Sequence, residues 1–255
     1  MKKNFTIISN WKMYLDTIEE LKFATINYDN FIKLTNSENK IILCPSFLSL
    51  NSINQIFKST DIFIGAQNCS THLNGNFTGQ ISVESFNKLG IKYSIIGHSE
   101  TRREFKESNI DIANKFSRLI DFGISPILCI GEELEEKKAG KTLDVLTKQL
   151  DPIFKIMENS YNKLNHLELL IAYEPVWSIG SGIIPDQDYL ENIFSWLHKN
   201  FSGLRNKIVF TLLYGGSVNA ENAKFLKNIK NINGFLIGKS SLDFQEFEKI
   251  VKYGI

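Results

Sequence analysis

Eight short apolar, β-rich stretches punctuate the chain from end to end, and they constrain its fold more than any other feature. They are FTIIS (5–9), IILC (41–44), IFIG (62–65), YSIIG (93–97), SPILCI (125–130), LELLIAY (167–173), IVFTLLY (208–214) and GFLIG (234–238). Most are continuous rather than alternating, as expected of strands buried on both faces of a parallel sheet. Residues with helical spacing lie between them. Ile112, Phe116, Leu119 and Ile120 mark one helix; Leu143, Leu146, Leu150, Ile153 and Met157 mark another, in which Pro152 predicts a kink or a break. Leu190, Ile193, Phe194 and Leu197 mark a third, and Phe244, Phe247, Ile250 and Val251 close the chain. NSYNKLNHLE (159–168) reads as a polar loop.

Strand alternating with helix implies an α/β fold with parallel strands and right-handed crossovers. Periodicity does not separate an open doubly wound sheet from a closed barrel. Eight strand-helix units in 255 residues, with no linker or low-complexity tract, favour a single (β/α)8 barrel domain over residues 1–255.

Composition narrows the function classes. The chain is 43% hydrophobic and 22% charged, ordinary for a soluble globular protein. A net charge of +1 gives no bulk argument for nucleic acid or an acidic membrane surface. ETRREFK (100–106) is more simply a solvated helix start than a basic binding patch. Cys44, Cys69 and Cys129 form no CxxC pair, and two of them sit in apolar runs, which fits buried reduced thiols in a cytoplasmic protein. The apolar run near the N-terminus is too short for a signal-peptide core, and no segment approaches a transmembrane length.

Polar signals cluster just after the strands: SNWK, CPS, AQN, GHSE, IGEE, EPVW, YGGS and GKSS. In either parallel architecture, ligands sit outside the carboxyl ends of the strands. Three general motifs nearly match and fail. GSGIIP (180–185) puts Pro185 where a dinucleotide fingerprint needs glycine. GHSET (97–101) puts Thr101 where a nucleophile elbow needs glycine. The four histidines are too far apart for metal-ligand spacing, and His98 with Glu100 gives only a weak metal reading.

Individually the remaining residues have bland readings as well as sharp ones. Glu174 ends an apolar strand. It is either a helix-capping or salt-bridged carboxylate, or a base whose pKa is raised by apolar surroundings. His98 is either structural or an electrophile kept neutral by a helix N-terminus. Lys12 is a surface lysine or a site cation. The glycines of YGGS and IGKS make simple turns, or they form the phosphate cradle usual after the last two strands of a barrel. Together, a carboxylate, a neutral electrophile, a cation and an N–H-rich cradle suit proton abstraction next to a carbonyl on a phosphorylated substrate.

NWK (10–12), GHSE (97–100), AYEPVWSIGSG (172–182) and YGGSV (214–218), with AQN (66–68), FTGQIS (77–82) and CIGE (129–132), resemble the triosephosphate isomerase family in order and spacing, from residue 4 to about 253. The resemblance implies interconversion of dihydroxyacetone phosphate and D-glyceraldehyde 3-phosphate in glycolysis and gluconeogenesis, without cofactor or metal. It implies Glu174 as base, neutral His98 as electrophile and proton shuttle, and Lys12 as the cation on phosphate and enediolate. Asn10 would lie beside the same oxygens and Glu100 would orient the lysine region. Backbone N–H groups at Gly180, Ser217, Gly238 and Lys239 would hold the phosphate. PVW and GSG would be the two ends of a lid that excludes water. Loop 66–82, with Phe77 near its tip, would insert into the partner of a homodimer.

Three positions depart from the family pattern. Gln80 and Thr101 stand where glutamate and arginine are common, and Lys239 replaces a glycine of the last phosphate loop. Another phosphosugar isomerase or epimerase would explain the phosphate loops but not NWK, GHSE and AYEPVW together. A non-catalytic barrel would predict loss of Lys12, His98 or Glu174, and all three are present.

Overall fold

All eight apolar stretches form strands: β1 (Thr6–Asn10), β2 (Lys40–Cys44), β3 (Ile62–Ala66), β4 (Tyr93–Ile96), β5 (Ser125–Ile130), β6 (Glu168–Tyr173), β7 (Val209–Tyr214) and β8 (Gly234–Ile237). The structure is a computed structural model, and it describes residues 5–35, 39–164, 166–203 and 208–253. Neighbouring strands pair in parallel in sequence order, and β8 returns to β1 to close the barrel.

The continuous apolar runs follow from that closure. Ile7, Ile41 and Leu43 pack outward against the helices, in one large buried cluster. Their neighbours Ile8, Ile42 and Cys44 join Ile95, Ile127, Leu170 and Leu213 in a second cluster inside the barrel. Apart from the amino-terminal ends of β3 and β7, where Phe63 and Val209 are exposed, both faces of the strands are dry, so no polar alternation is needed.

The helices Asn109–Asp121, Gln187–Ser202 and Phe244–Tyr253 bury the stripes expected of them, with Phe244 packed at the edge. The helix Thr142–Asn159 differs in two respects. It runs unbroken through Pro152. Proline cannot donate to the carbonyl four residues back, that of Lys148, and the Asn109 side-chain amide donates to that oxygen instead, at 3.1 Å. Leu143, in the first turn, faces outward and is 42% exposed. The polar stretch 159–168 contains a short helix, Tyr161–Leu164, and its Asn165 lies outside the described residues.

ETRREFK is only partly a solvated helix start. Arg103 and Glu104 pair at the surface, but Arg102 is half-buried and donates to the carbonyl oxygens of Gly97 and Cys129 at 2.7 and 3.0 Å. It thereby ties together the ends of β4 and β5. Among the described residues, no helix is long and apolar enough to cross a membrane.

The barrel seam depends on one glycine. A Cβ at Gly234 would overlap the Thr6 carbonyl oxygen and stand 2.5 Å from Leu213 Cδ2. Gly234→Ala should therefore destabilise the fold by about 3 kcal/mol, at the upper end of overpacking costs. The check is the denaturant midpoint; a shift below about a third of that amount would show that the seam can widen.

Candidate active site

A cavity of about 460 Å³ opens at the carboxyl ends of the strands, and all nine residues singled out in the sequence line it. Asn10 ends β1 and Lys12 follows it. His98 and Glu100 follow β4, Glu174 follows β6, Ser217 follows β7, and Gly238 and Lys239 follow β8. Gly180 lies on the segment after Glu174.

Glu174 is 2% exposed. Its Oε2 accepts the Ser99 amide at 2.9 Å and its Oε1 lies 3.1 Å from His98 Nε2. Its own amide donates to the Ile130 carbonyl at 2.7 Å. Two glycines make this placement possible. A Cβ at Gly131 would overlap the Glu174 carbonyl, and one at Gly215 would come within 2.9 Å of Glu174 Cγ. Burial alone raises a carboxylate pKa, as the sequence reading expected. Here the His98 ring, the Ser99 amide and the Lys12 charge more than offset it, and the net direction is downward.

His98 caps the helix Ser99–Glu104 with its side chain: Nδ1 accepts the Glu100 amide at 3.2 Å. That bond selects the tautomer with the proton on Nε2, facing Glu174. Burial opposes a charge on the ring, but the adjoining Glu174 carboxylate outweighs it and moves the imidazole above its ordinary value. This corrects the downward shift expected from a helix N-terminus alone. The sequence did not reveal that the two groups touch, and contact moves both pKa values opposite to expectation. A substrate that separates them removes the cause.

Lys12 Nζ donates to Glu100 Oε1 at 2.7 Å. The Lys12 backbone is left-handed, with φ 54°, a conformation costing about 1 kcal/mol or more for a residue with a side chain. Asn10 Oδ1 accepts the Lys12 amide at 3.1 Å, and the Gln67 side chain donates to the Lys12 carbonyl at 2.8 Å. These bonds hold the strained backbone and aim the ammonium across the cavity. Gly238 makes room for its stem, since a Cβ there would lie 3.2 Å from Lys12 Cε. Lys239 begins a 3-10 turn, Lys239–Ser241, and has no positive φ, so a side chain is accommodated without backbone strain.

After Glu174 the chain makes the 3-10 turn Val176–Ser178. Trp177 donates its indole N–H to Glu132 at 2.7 Å, and the Lys137 ammonium sits 3.5 Å above its ring. Glu132 is fully buried and also accepts from the hydroxyls of Tyr173 and Tyr189. Glu132 lies within CIGE and Ser99 within GHSE, but neither motif reveals these contacts, because nothing in the sequence shows which donors converge on a carboxylate. Among the described residues, no group of three or more histidine, cysteine, aspartate or glutamate side chains is placed to hold a metal ion.

A sequence model of the family "Triosephosphate isomerase" matches residues 5–254. The chain belongs to the triosephosphate isomerase family. It is similar to a protein of that name from Aquifex aeolicus, 37% identical with 96% of this chain and 97% of the other covered. It is also similar to one from Thermodesulfovibrio yellowstonii, 37% identical over 99% and 100%, and to one from Buchnera aphidicola subsp. Cinara cedri, 42% identical over 83% and 84%.

As a member of this family of isomerases, the chain manages its departures locally. The Thr101 hydroxyl lies 2.8 Å from both the His98 carbonyl and Glu107 Oε2. Glu107 is paired with buried Lys115, which also donates to Asn68 at the root of loop 66–82. With a threonine at position 101, Glu107 keeps both a hydroxyl and a cation as partners. Near the loop tip, Phe77 is 40% exposed and stacks on His72 with ring centroids 3.7 Å apart.

The Glu174–His98 contact carries a pH signature. The raised imidazole contributes stability that is present below its ordinary 6.5 and is lost as pH rises through its folded value. The lowered carboxylate contributes stability that is present above its ordinary 4.5 and is lost as pH falls through its folded value. The stability gap between wild type and Glu174→Gln should therefore be widest between those limits and narrow on both sides. Denaturation midpoints across the range check this, and a pH-independent gap contradicts the pairing.

Proposed function

We propose that this chain interconverts dihydroxyacetone phosphate and D-glyceraldehyde 3-phosphate through an enediolate. The observation that carries the reading is the buried Glu174 carboxylate against His98 Nε2, at the edge of a cavity whose far side is lined by Gly180, Ser217, Gly238 and Lys239. Glu174 would leave the Ser99 amide, take a proton from one carbon of the bound substrate and return it to the next. His98 would donate its Nε2 hydrogen to the carbonyl oxygen and pass protons between the two oxygens. Lys12 would face the developing negative charge, with Asn10 beside the same oxygens and Glu100 holding the ammonium in line. Amides of the four cradle residues would bind the phosphate. No step calls for a cofactor or metal.

In this reading residues 175–182 form a lid that closes on the phosphate and shuts out water. The chain works as one barrel in glycolysis and gluconeogenesis, and the three buried thiols suit the cytoplasm. A coupled assay of the purified protein in both directions tests the activity. Glu174→Gln should keep the fold and lose at least tenfold in kcat, since positioned bases contribute ~10²–10⁴-fold. A folded variant that retained more than that would remove Glu174 from the role of base.

The same reading includes a homodimer. Met13, next to Lys12 in sequence, and Leu48 are 94% and 84% exposed, and Phe77 on loop 66–82 is 40% exposed. A second copy covering these side chains would explain large apolar residues in water next to a catalytic segment. Light scattering should give twice the chain mass at working concentrations, and Phe77→Asp should lower both mass and activity. A fully active monomer would remove the dimer.

A further inference from the structure

Ser178 stands at the foot of the proposed lid and is fully buried. Its hydroxyl lies 2.6 Å from the Ile183 carbonyl oxygen and 3.1 Å from the Tyr214 hydroxyl. A serine hydroxyl has one proton to give, and a carbonyl can only accept. The Ser178 proton therefore goes to Ile183, and Tyr214 donates to Ser178 Oγ. The result is a chain of hydroxyls running from the end of β7, through the first hinge of the lid, to its return segment.

Further bonds converge on the same residue, among them one at 3.0 Å from the Ser181 hydroxyl of the lid tip to the Ser178 carbonyl. Ser217 donates its hydroxyl to the Ser178 carbonyl at 2.6 Å, and the Ser178 amide donates to the Pro175 carbonyl at 2.7 Å. Gly216 leaves room for the junction, because a Cβ there would overlap the Tyr214 hydroxyl and stand 3.0 Å from Ser178 Oγ. Pro185, buried just beyond, has no N–H to offer, so the return segment is fastened through the Ile183 carbonyl. The tip between these anchors is different. Gly180 and Gly182 have φ of 69° and 74°, and a Cβ at either would meet no atom within 4 Å.

We propose that Ser178 is a positioning residue. Its hydroxyl joins both ends of the lid to the barrel at Tyr214, so that the tip carries Gly180 to the phosphate from a fixed base. The inference rests on the isomerase reading and adds to it a residue that touches no reacting atom. Losing the hydroxyl should weaken turnover only where the lid is recruited, that is, on substrates with a phosphate.

Ser178→Ala, Tyr214→Phe and the double variant test this by two readouts. Hydrogen exchange of amides 179–183, with and without inorganic phosphate, reports the lid without catalysis. Tyr214→Phe should speed exchange about three- to tenfold, the worth of one buried neutral hydrogen bond; Ser178→Ala, which loses the bonds to both Ile183 and Tyr214, should speed it more, and the double variant should not exceed Ser178→Ala. kcat/KM for glyceraldehyde 3-phosphate should fall by a similar factor, while turnover of phosphate-free glyceraldehyde stays within about twofold. Unchanged exchange, additive effects, or equal loss on both substrates with a lowered Tm would overturn the assignment, since a merely structural hydroxyl affects both substrates alike. A wild-type protein inactive on triose phosphates overturns the isomerase reading and this inference with it. An active wild type indistinguishable from Ser178→Ala overturns this inference alone.

Discussion

A carboxylate held out of water at the mouth of the barrel is the constraint around which the site is arranged. Removing an ion from water costs several kcal/mol unless it is paired and hydrogen-bonded. Glu174 meets that requirement with one backbone amide and one imidazole, both from the segment that follows β4. Its backbone is held in turn by the ends of the flanking strands, through Ile130 on one side and the Gly215 amide bonded to Tyr173 on the other. Because Gly131 and Gly215 lack side chains, three strand ends can close on one residue. Any displacement of β4, β5 or β7 would expose the charge or leave it without partners, so the geometry of the closed barrel is also the geometry of this carboxylate.

That arrangement has a chemical consequence. Glu174 is satisfied by Ser99 and His98, which depress its pKa and make it a weaker base. In the proposed reaction, leaving Ser99 and meeting the substrate in a drier site would remove those partners and restore basicity at the moment it is used. In that reaction His98 would change in the complementary direction, since the carboxylate that raises its pKa would depart while the Glu100 amide stays on Nδ1. Glu174 is followed at once by the turn that holds Trp177 against Glu132, so movement of the proposed base would be mechanically continuous with movement of the proposed lid.

The fold was legible in the sequence because burial on both strand faces leaves uninterrupted apolar runs, and few architectures need eight of them. The site residues were legible because strand-end polar motifs fall on one face of any parallel α/β fold. What was hidden depends on contacts between distant segments. The pKa directions of Glu174 and His98 reversed because residues 76 positions apart touch. Pro152 left its helix unbroken because Asn109, from another helix, supplied the missing donor. Arg102 left the solvated face because its guanidinium reaches two carbonyl oxygens at the ends of neighbouring strands. Spacing within a segment reports its own faces, not the groups that a neighbouring segment brings.

The two lysines at the cavity show how differently backbone and side-chain recognition tolerate change. In the proposed reaction Lys12 would use its ammonium, and the chain accepts a left-handed backbone, a glycine opposite its stem and a carboxylate partner to aim it. Replacing it would leave Glu100 without the cation it pairs with. Lys239 stands where the resemblance expects glycine, yet its 3-10 backbone requires no positive φ. An amide hydrogen in such a turn points the same way whatever side chain follows. A phosphate held by amides would therefore constrain the path of the chain and not the residue at each position, so that this loop can carry a lysine while position 12, if its ammonium is used, has little freedom.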